Sequence, residues 1–257
     1  MVKFLKLSQF AGKSVYCNCD TEKSEIYKLA KANFKTWQLK SLVATGYVKG
    51  GKGVKVVYDG KTETISQLEG DGSYDSAEST EILEHSDIVM TNPPFSKLSK
   101  FIPFVLERNK DFVIIANMMD LMYKSTIKYS LAGKINACDK FSGGATFTRP
   151  NGDIAHVHCV AVTTLDVFDV VKSYPSKTLQ QLTDENKIYK EDADGIYEVK
   201  YIRNLPIDYY GEIYCPTSIL FLPHLRKQYE IVKIADKTIT VNGKNRFFRV
   251  LVKRKTV

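Results

Sequence analysis

Short apolar runs alternate with amphipathic stretches along the first two thirds of the chain, and this alternation predicts strands separated by helices. The predicted strands are residues 15–20, 42–45, 87–91, 111–117, 134–137 and 156–164. The predicted helices are residues 21–34, with Thr21 or Asp20 as the N-cap, and about 76–85, 98–108 and 121–131. Strands that alternate with helices form parallel sheets with crossover connections, so the pattern predicts an α/β fold.

A glycine-rich, basic segment over residues 46–60 departs from this alternation. Strand-like residues at 54–58 and 62–65 flank Asp59-Gly60, and this arrangement predicts a β-hairpin. Lys52 lies among the glycines just before the hairpin. We interpret the segment either as a flexible loop that contacts DNA or as a loop that is only exposed to solvent.

The chain changes character at about Val167. Residues 172–194 are polar and predict a helical or loose connector, and the residues after them are β-rich. The strand candidates there are 197–202, 212–215, 218–222, 229–234, 238–241 and 246–254. Asn242-Gly243 predicts a hairpin between the last two of these strands. We therefore predict a core domain over residues 1–166 and a β-rich C-terminal region over residues 167–257.

The composition narrows the class of protein. Hydrophobic residues make up 44% of the 257 residues, enough for a large core. The chain has no apolar run of about 18 residues and no signal peptide, so we expect a cytoplasmic protein with no membrane span. Its five cysteines and four histidines show no zinc-ligand spacing, so we expect no metal.

The net charge of +8 favours a polyanionic partner, because basic side chains that neutralise phosphates release counterions. The candidates for phosphate contacts are Lys52 and, near the C-terminus, Arg246, Arg249, Lys253 and Arg254. A solvated basic edge strand is the alternative interpretation of the C-terminal group.

The most informative motif is Thr91-Asn92-Pro93-Pro94-Phe95, directly after an apolar strand. The Asn92 side-chain oxygen and the Pro93 carbonyl can each accept one N–H of a planar amine, which frees the lone pair of that amine for attack. Two prolines stiffen the turn, and Phe95 offers a face on which an extruded base can stack. Such a turn is typical of methyltransferases that act on exocyclic amines; a plain strand-to-turn junction is the alternative.

Three polar residues, Asp20, Asp71 and Asn92, each follow a strand candidate. Ligands of open α/β sheets bind at the carboxyl ends of the strands. We therefore expect these three side chains to share one crevice. For Asp20 a helix cap, and for Asp71 an ordinary turn, are the alternatives.

Several stretches together resemble the EcoRI-type adenine-specific DNA methyltransferases. They are GKSVYCNCD, GDGSY, DIVMTNPPF, FVIIAN, NLPIDYYGEIYCP and the terminal VNGKNRFFRVLVKRK, spread over most of the chain in the order of the family. The resemblance implies a Rossmann-like sheet and an S-adenosylmethionine-dependent enzyme that methylates adenine N6 in double-stranded DNA. It also implies a restriction-modification setting, with a cognate restriction endonuclease as a further partner.

Carried over residue by residue, the resemblance places a catalytic motif at Asn92, Pro93, Pro94 and Phe95. It places cofactor contacts at Cys19, Asp20, Asp71, Gly72 and Asn92. The chain departs from the methyltransferase pattern in three respects. It lacks the FxGxG loop after the first strand, it lacks a Trp in the strand HCVAVTTL, and its CPTSILFLPHL stretch is altered.

Two other functions stay open on the sequence. A guanine amine in ribosomal RNA or a glutamine amide in a protein would use the same kind of turn, although Phe95 counts against the glutamine amide. A catalytically inactive DNA-binding module would explain the missing glycine loop, but it would have no need of an intact Asn-Pro-Pro-Phe turn.

Overall fold

A computed structural model describes most of the chain. The described residues are 1–117, 121, 124–140, 145–148, 152–168, 175–216, 225–235, 238–247 and 249–256. They divide into two compact units. The first comprises Met1–Lys128 and Ile135–Phe168, and the second comprises Tyr129–Lys134 and Asp169–Val257. The strand predicted at 218–222 lies outside the described residues.

The first unit is built on an eight-stranded mixed sheet. The strands of this unit are β1 (Ser14–Asn18), β2 (Ser41–Gly46), β3 (Val54–Tyr58), β4 (Glu63–Gln67), β5 (Ile88–Thr91), β6 (Asp111–Asn117), β7 (Asn136–Lys140), β8 (Ala145–Thr148), β9 (Ile154–Val157) and β10 (Cys159–Thr163). The order across the sheet is β4-β3-β2-β1-β5-β6-β10-β7, and β8 pairs with β9 in a separate hairpin. The predicted α/β class is confirmed.

The four central strands, β2-β1-β5-β6, are parallel. The chain moves outward from β1 to β2 on one side and from β5 to β6 on the other, so the direction of winding reverses between β1 and β5. A crevice opens at the carboxyl ends of strands where this reversal occurs. β10 runs antiparallel to both of its neighbours.

The helices are α1 (Glu25–Ala32), α2 (Ala77–Glu84), α3 (Leu98–Leu106), α4 (Lys124–Leu131), α5 (Leu179–Asp184) and α6 (Leu225–Gln228). The predicted N-cap of α1 was wrong: Ser24 Oγ accepts the hydrogen bond from the Tyr27 backbone N–H at 3.2 Å. The helix begins four residues later than expected because residues 19–23 form the turn that leads away from β1, with the carboxyl group of Asp20 bonded elsewhere.

Apolar side chains on α1 and on the sheet form the main core of the first unit. Tyr27 and Ala30 of α1 are fully buried in it, together with Val15 of β1 and Met90 of β5. β1 and β5 have no exposed residue along their length. Both strands are packed on both faces. The turns that follow them, which begin at Cys19 and Asn92, therefore start from well-defined backbone positions.

The second unit is rich in strands, as predicted. Its strands are β11 (Ile188–Lys190), β12 (Tyr197–Val199), β13 (Glu212–Pro216), β14 (Tyr229–Ile234), β15 (Ile239–Val241), β16 (Lys244–Arg246) and β17 (Arg249–Arg254). Five of them form one sheet in the order β11-β12-β13-β17-β14, and β15 and β16 form a hairpin. Asn242 and Gly243 make its turn with φ of 51° and 69°, which confirms that hairpin prediction.

One prediction for the second unit is confirmed in part, and another needs correction. The polar connector is helical over α5, which carries a capping box between Thr178 and Gln181, but the strand β11 follows it. The long terminal strand predicted over 246–254 is divided between β16 and β17. Its first residue, Arg246, pairs with Ile239 of β15, whereas β17 pairs with β13 and β14.

Candidate active site

A cavity of about 1200 Å³ lies at the carboxyl ends of β1 and β5. Five segments of the first unit line it: residues 19–24 after β1, 46–47 after β2, 73–75 before α2, 92–97 after β5, and Phe147, Ala155 and Val157 of the β8–β9 hairpin. Pockets for single small ligands commonly measure about 300–1000 Å³. This cavity is therefore somewhat larger than most pockets that hold a single small ligand.

Asn92, the first residue after β5, lines this cavity and carries an unpaired acceptor. Its Oδ1 is buried and has no hydrogen-bond partner among the described residues. Pro93 is buried beside it, and Pro94 opens a short helical turn in which Lys97 N donates to Pro94 O at 2.8 Å. Buried acceptors in folded proteins are nearly always paired. An unpaired one in a cavity wall is a site for a donor that arrives with a ligand.

Asp20 joins the turn after β1 to the turn after β5. Its carboxylate accepts a hydrogen bond from Thr91 Oγ1 at 2.6 Å, and it also accepts bonds from the Asn92 backbone N–H and from Ser24. The Thr91 hydroxyl contacts the Asn18 carbonyl as well. The residue is only 6% exposed, and its burial raises the pKa of the Asp20 carboxyl to about 6, against the opposing effect of these hydrogen bonds.

Cys19 forms the turn at which a glycine loop would be expected. Its φ is 75°, in the left-handed region that glycine favours. The thiol faces Asn18 Oδ1 at 3.5 Å, and burial raises the pKa of Cys19 to about 12, so the sulfur stays protonated. A sharp turn after β1 is therefore present, although the sequence places a cysteine where a glycine would be less strained.

The structure places Asp71 and Gly72 beside the cavity rather than in its lining. Asp71 Oδ1 accepts hydrogen bonds from Ser73 N at 2.9 Å and from Ser73 Oγ at 2.7 Å, which is a local turn. Gly72 has a φ of 77°, and a Cβ atom there would lie 2.4 Å from the Gly46 carbonyl oxygen. Both residues shape the segment that brings Ser73, Tyr74 and Asp75 to the cavity.

The β8–β9 hairpin supplies a second aromatic wall that the sequence analysis missed. The rings of Phe95 and Phe147 meet edge to face, with centroids 5.8 Å apart at 83°. Phe147 lies in a four-residue strand, ATFT, whose only signal is its pairing with IAHV across a turn that contains Gly152 and Asp153. The predicted strand over 156–164 is in fact the end of β9 followed by β10.

The basic residues predicted to contact DNA have different surroundings. Lys52 Nζ is paired with the exposed Glu69 at 2.9 Å. Arg249 Nε lies 3.0 Å from Glu198, a fully buried carboxylate, and Arg246 Nε lies 3.9 Å from the same oxygen. The Arg254 guanidinium lies over the Tyr229 ring at 5.7 Å, and Lys253 is exposed. Arg249 is therefore the most fully neutralised of the group.

Three features are absent from the described part of the chain: a metal site, a disulfide bond and a membrane-spanning helix. The His, Cys, Asp and Glu side chains described there form no cluster of three or more that could hold a metal ion. None of the five cysteines, all of which lie in the described residues, forms a disulfide bond. No helix within the described ranges is long and apolar enough to cross a membrane.

Comparison with known proteins identifies the chain. The family described as "Adenine-specific methyltransferase EcoRI" matches residues 3–255. The protein belongs to this family. The family predicted from the sequence is therefore confirmed, and so is the prediction that the chain is an adenine-specific methyltransferase.

Three relatives align with almost the whole chain. The Type II methyltransferase M.EcoRI of Escherichia coli is 31% identical over 96% of the chain and 87% of its own length. The Type II methyltransferases M.MgeORF184P of Mycoplasma genitalium and M.MpnI of Mycoplasma pneumoniae are 26% and 27% identical over 97% and 96% of the chain, covering 90% and 89% of their own lengths. No solved structure matches the chain.

Proposed function

We propose that the protein transfers a methyl group from S-adenosylmethionine to N6 of an adenine extruded from double-stranded DNA, as the modification enzyme of a restriction-modification system. The observation that carries the proposal is the buried, unpaired Oδ1 of Asn92 at the wall of the cavity. An adenine amine carries two N–H donors, and a site built to accept one of them explains this atom. The relatives, all named Type II methyltransferases, support the same assignment.

The residues present fit the methyl donor. The order of the parallel strands and the reversal between β1 and β5 support the proposal of a Rossmann-like sheet, in which a ligand occupies the crevice at the reversal. The cavity carries two carboxylates, Asp20 and Asp75, where a ligand with ammonium and sulfonium charges would be held. Tyr47 and Tyr74 add flat faces for its adenine. When bound, S-adenosylmethionine supplies an electrophilic methyl carbon.

The chain itself orients and activates the amine. Asn92 Oδ1 accepts one N–H of the amine and the Pro93 carbonyl accepts the other, which draws electron density back to the nitrogen. Phe95 and Phe147, in edge-to-face contact, form one aromatic wall of the cavity against which the base packs. Held in this way, the amine would direct its lone pair at the methyl carbon that S-adenosylmethionine would supply, and its surplus proton would pass to solvent. Asn92 is a weak proton acceptor, so its role is to orient the amine and to stabilise the charge on it.

The second unit is proposed to supply part of the DNA contact. It holds 17 basic and 11 acidic residues, a net charge of +6, whereas the first unit holds 20 basic and 18 acidic residues, a net charge of +2. Among the predicted contacts, the exposed Lys253 and the partly exposed Arg246 and Arg254 are best placed to reach phosphates. Arg249 is better explained as the partner of Glu198. A cognate restriction endonuclease remains part of the proposal.

The test is methyl transfer. The protein is incubated with S-adenosylmethionine carrying a labelled methyl group and with unmethylated double-stranded plasmid DNA, and the DNA is then digested to nucleosides. We expect the label in N6-methyladenine. Parallel reactions contain RNA or protein in place of DNA. Label in one of these but not in DNA would show that the enzyme methylates a different amine. An absence of cofactor binding would favour an inactive binding module.

A further inference from the structure

The β8–β9 hairpin lines the cavity and leads directly into β10 of the large sheet. β10 begins at Cys159, which pairs with Asn117, the last residue of β6, so its start lies at the carboxyl edge of the parallel strands. β9 ends at Val157, two residues earlier. From Val157 back to Ile154 the strand covers about 10 Å. Ile154 therefore lies at the end of β9 that is farther along the chain from β10.

The two faces of this hairpin differ in what they contact. Phe147 pairs with Ala155 and Ala145 pairs with Val157, and the face formed by these pairs adjoins the core and the cavity. Ile154 is the next residue after Ala155 toward the tip, so its side chain lies on the opposite face. It is 76% exposed, the largest value among the exposed large hydrophobic side chains of the described residues.

We propose that Ile154 is an apolar wedge that enters the DNA base stack beside the target adenine and holds the duplex open while that base occupies the cavity. This inference rests on the proposed function. A base that leaves the duplex exposes the faces of its neighbours, and an inserted apolar side chain covers them. A β-branched side chain suits this role because its χ1 angle is restricted before binding.

The position of Ile154, rather than its exposure, carries the inference. Single exposed hydrophobic residues are common on protein surfaces. Ile154, however, is bonded directly to Ala155, which lines the cavity that receives the base, and it stands at the outer end of the element that forms one wall of that cavity. Asn92 and Ala155 line the same cavity, so an adenine held at Asn92 lies in the cavity that the residue after Ile154 helps to form.

The experiment compares Ile154→Ala with Ile65→Ala. Ile65 is a matched control, since it is 53% exposed and lies on β4, at the opposite edge of the sheet. The methylated sequence is first mapped on plasmid DNA with the wild-type enzyme. Two short duplexes of that sequence follow, one intact and one with an abasic site opposite the target adenine. Calorimetric titration with S-adenosylmethionine and thermal unfolding establish that each variant is folded.

We expect Ile154→Ala to lower kcat/KM on the intact duplex on the order of tenfold, because the open duplex loses a contact that offsets unstacking. On the abasic duplex the loss should be no more than about twofold, since extrusion there costs little. With 2-aminopurine at the target position, the fluorescence rise on binding should shrink in Ile154→Ala and stay at the wild-type value in Ile65→Ala.

Two results would overturn the wedge while leaving the proposed function intact. One is equal activity of Ile154→Ala and Ile65→Ala on the intact duplex. The other is an equal loss on both duplexes, which would mean a general contact with DNA. A wild-type enzyme that binds S-adenosylmethionine but methylates no duplex adenine would refute the proposed function, and the wedge with it.

Discussion

Asp20→Asn should make the protein more stable at neutral and alkaline pH, although it removes a residue from the candidate cofactor site. The wild-type carboxyl group is buried, and its pKa is raised from 3.8 to about 6. In the unfolded chain the same group ionises at its ordinary pKa. Between these two values the folded state binds more protons than the unfolded state, so the free energy of unfolding falls as pH rises.

The magnitude follows from the size of the shift. One pKa unit corresponds to about 1.4 kcal/mol, so full ionisation of Asp20 in the folded protein costs about 3 kcal/mol above pH 7. At pH 5 the group is mostly protonated in the folded state, and the cost is about half as large. Asparagine resembles the protonated acid in shape and does not titrate. The Asp20→Asn substitution should therefore remove the free-energy cost of ionisation while keeping a hydrogen bond with Thr91.

The assay is urea denaturation of the cofactor-free protein at several values between pH 5 and pH 8. The control is Asp166→Asn, at an exposed aspartate outside the cavity. We expect the stability of Asp20→Asn relative to wild type to increase by about 1–2 kcal/mol from pH 5 to pH 8, and that of the control to stay constant. Parallel curves for Asp20→Asn and wild type would refute the reasoning, because they would show that Asp20 ionises normally.

Two other predictions concern residues that line the cavity. Phe147→Ala should lower kcat/KM on duplex DNA about tenfold or more, because base–aromatic stacking contributes about 1–3 kcal/mol per base; Phe168→Ala, at a 55% exposed phenylalanine outside the cavity lining, is the control, and equal effects of the two would refute the role. Cys19→Gly should leave the free energy of unfolding within about 1 kcal/mol of wild type, whereas Cys19→Val should lower it by about 1–3 kcal/mol, because a β-branched residue fits poorly at a φ of 75°. Urea denaturation measures both changes, and a valine variant as stable as the glycine variant would contradict the left-handed turn.

The sheet was predictable because its central strands are short apolar runs that end abruptly. Residues 111–117 were predicted as a strand and form β6, and Asn92 follows β5 as the spacing required. The hydrogen bonds that connect the Asp20 carboxylate to the turns after β1 and β5 were not predictable. Asp20 could serve as a helix cap or as a buried acceptor, and only the packing of Thr91 against it decides between them.

Other features depend on contacts between distant parts of the chain. Phe147 belongs to a strand of four residues, too short for its alternation to be distinguished from a loop. Arg249 was predicted to contact phosphate from its place in a basic strand. Its partner in the structure, Glu198, lies 51 residues away in the sequence, so the local pattern does not reveal the pair. The role of Gly72 likewise appears only when the end of β2 is placed against it. Local patterns indicate elements, whereas the partners of buried polar groups come from the tertiary fold.

The most direct test of the account is Asn92→Ala, followed by two measurements on the same preparation. The first is methyl transfer to duplex DNA, and the second is calorimetric binding of S-adenosylmethionine. Loss of one acceptor of this kind costs on the order of 100-fold or more in rate, so we expect transfer to fall at least that far while cofactor affinity stays within a few-fold of wild type. Substantial methylation of adenine by Asn92→Ala would contradict the central claim that the unpaired Oδ1 of Asn92 holds the reacting amine.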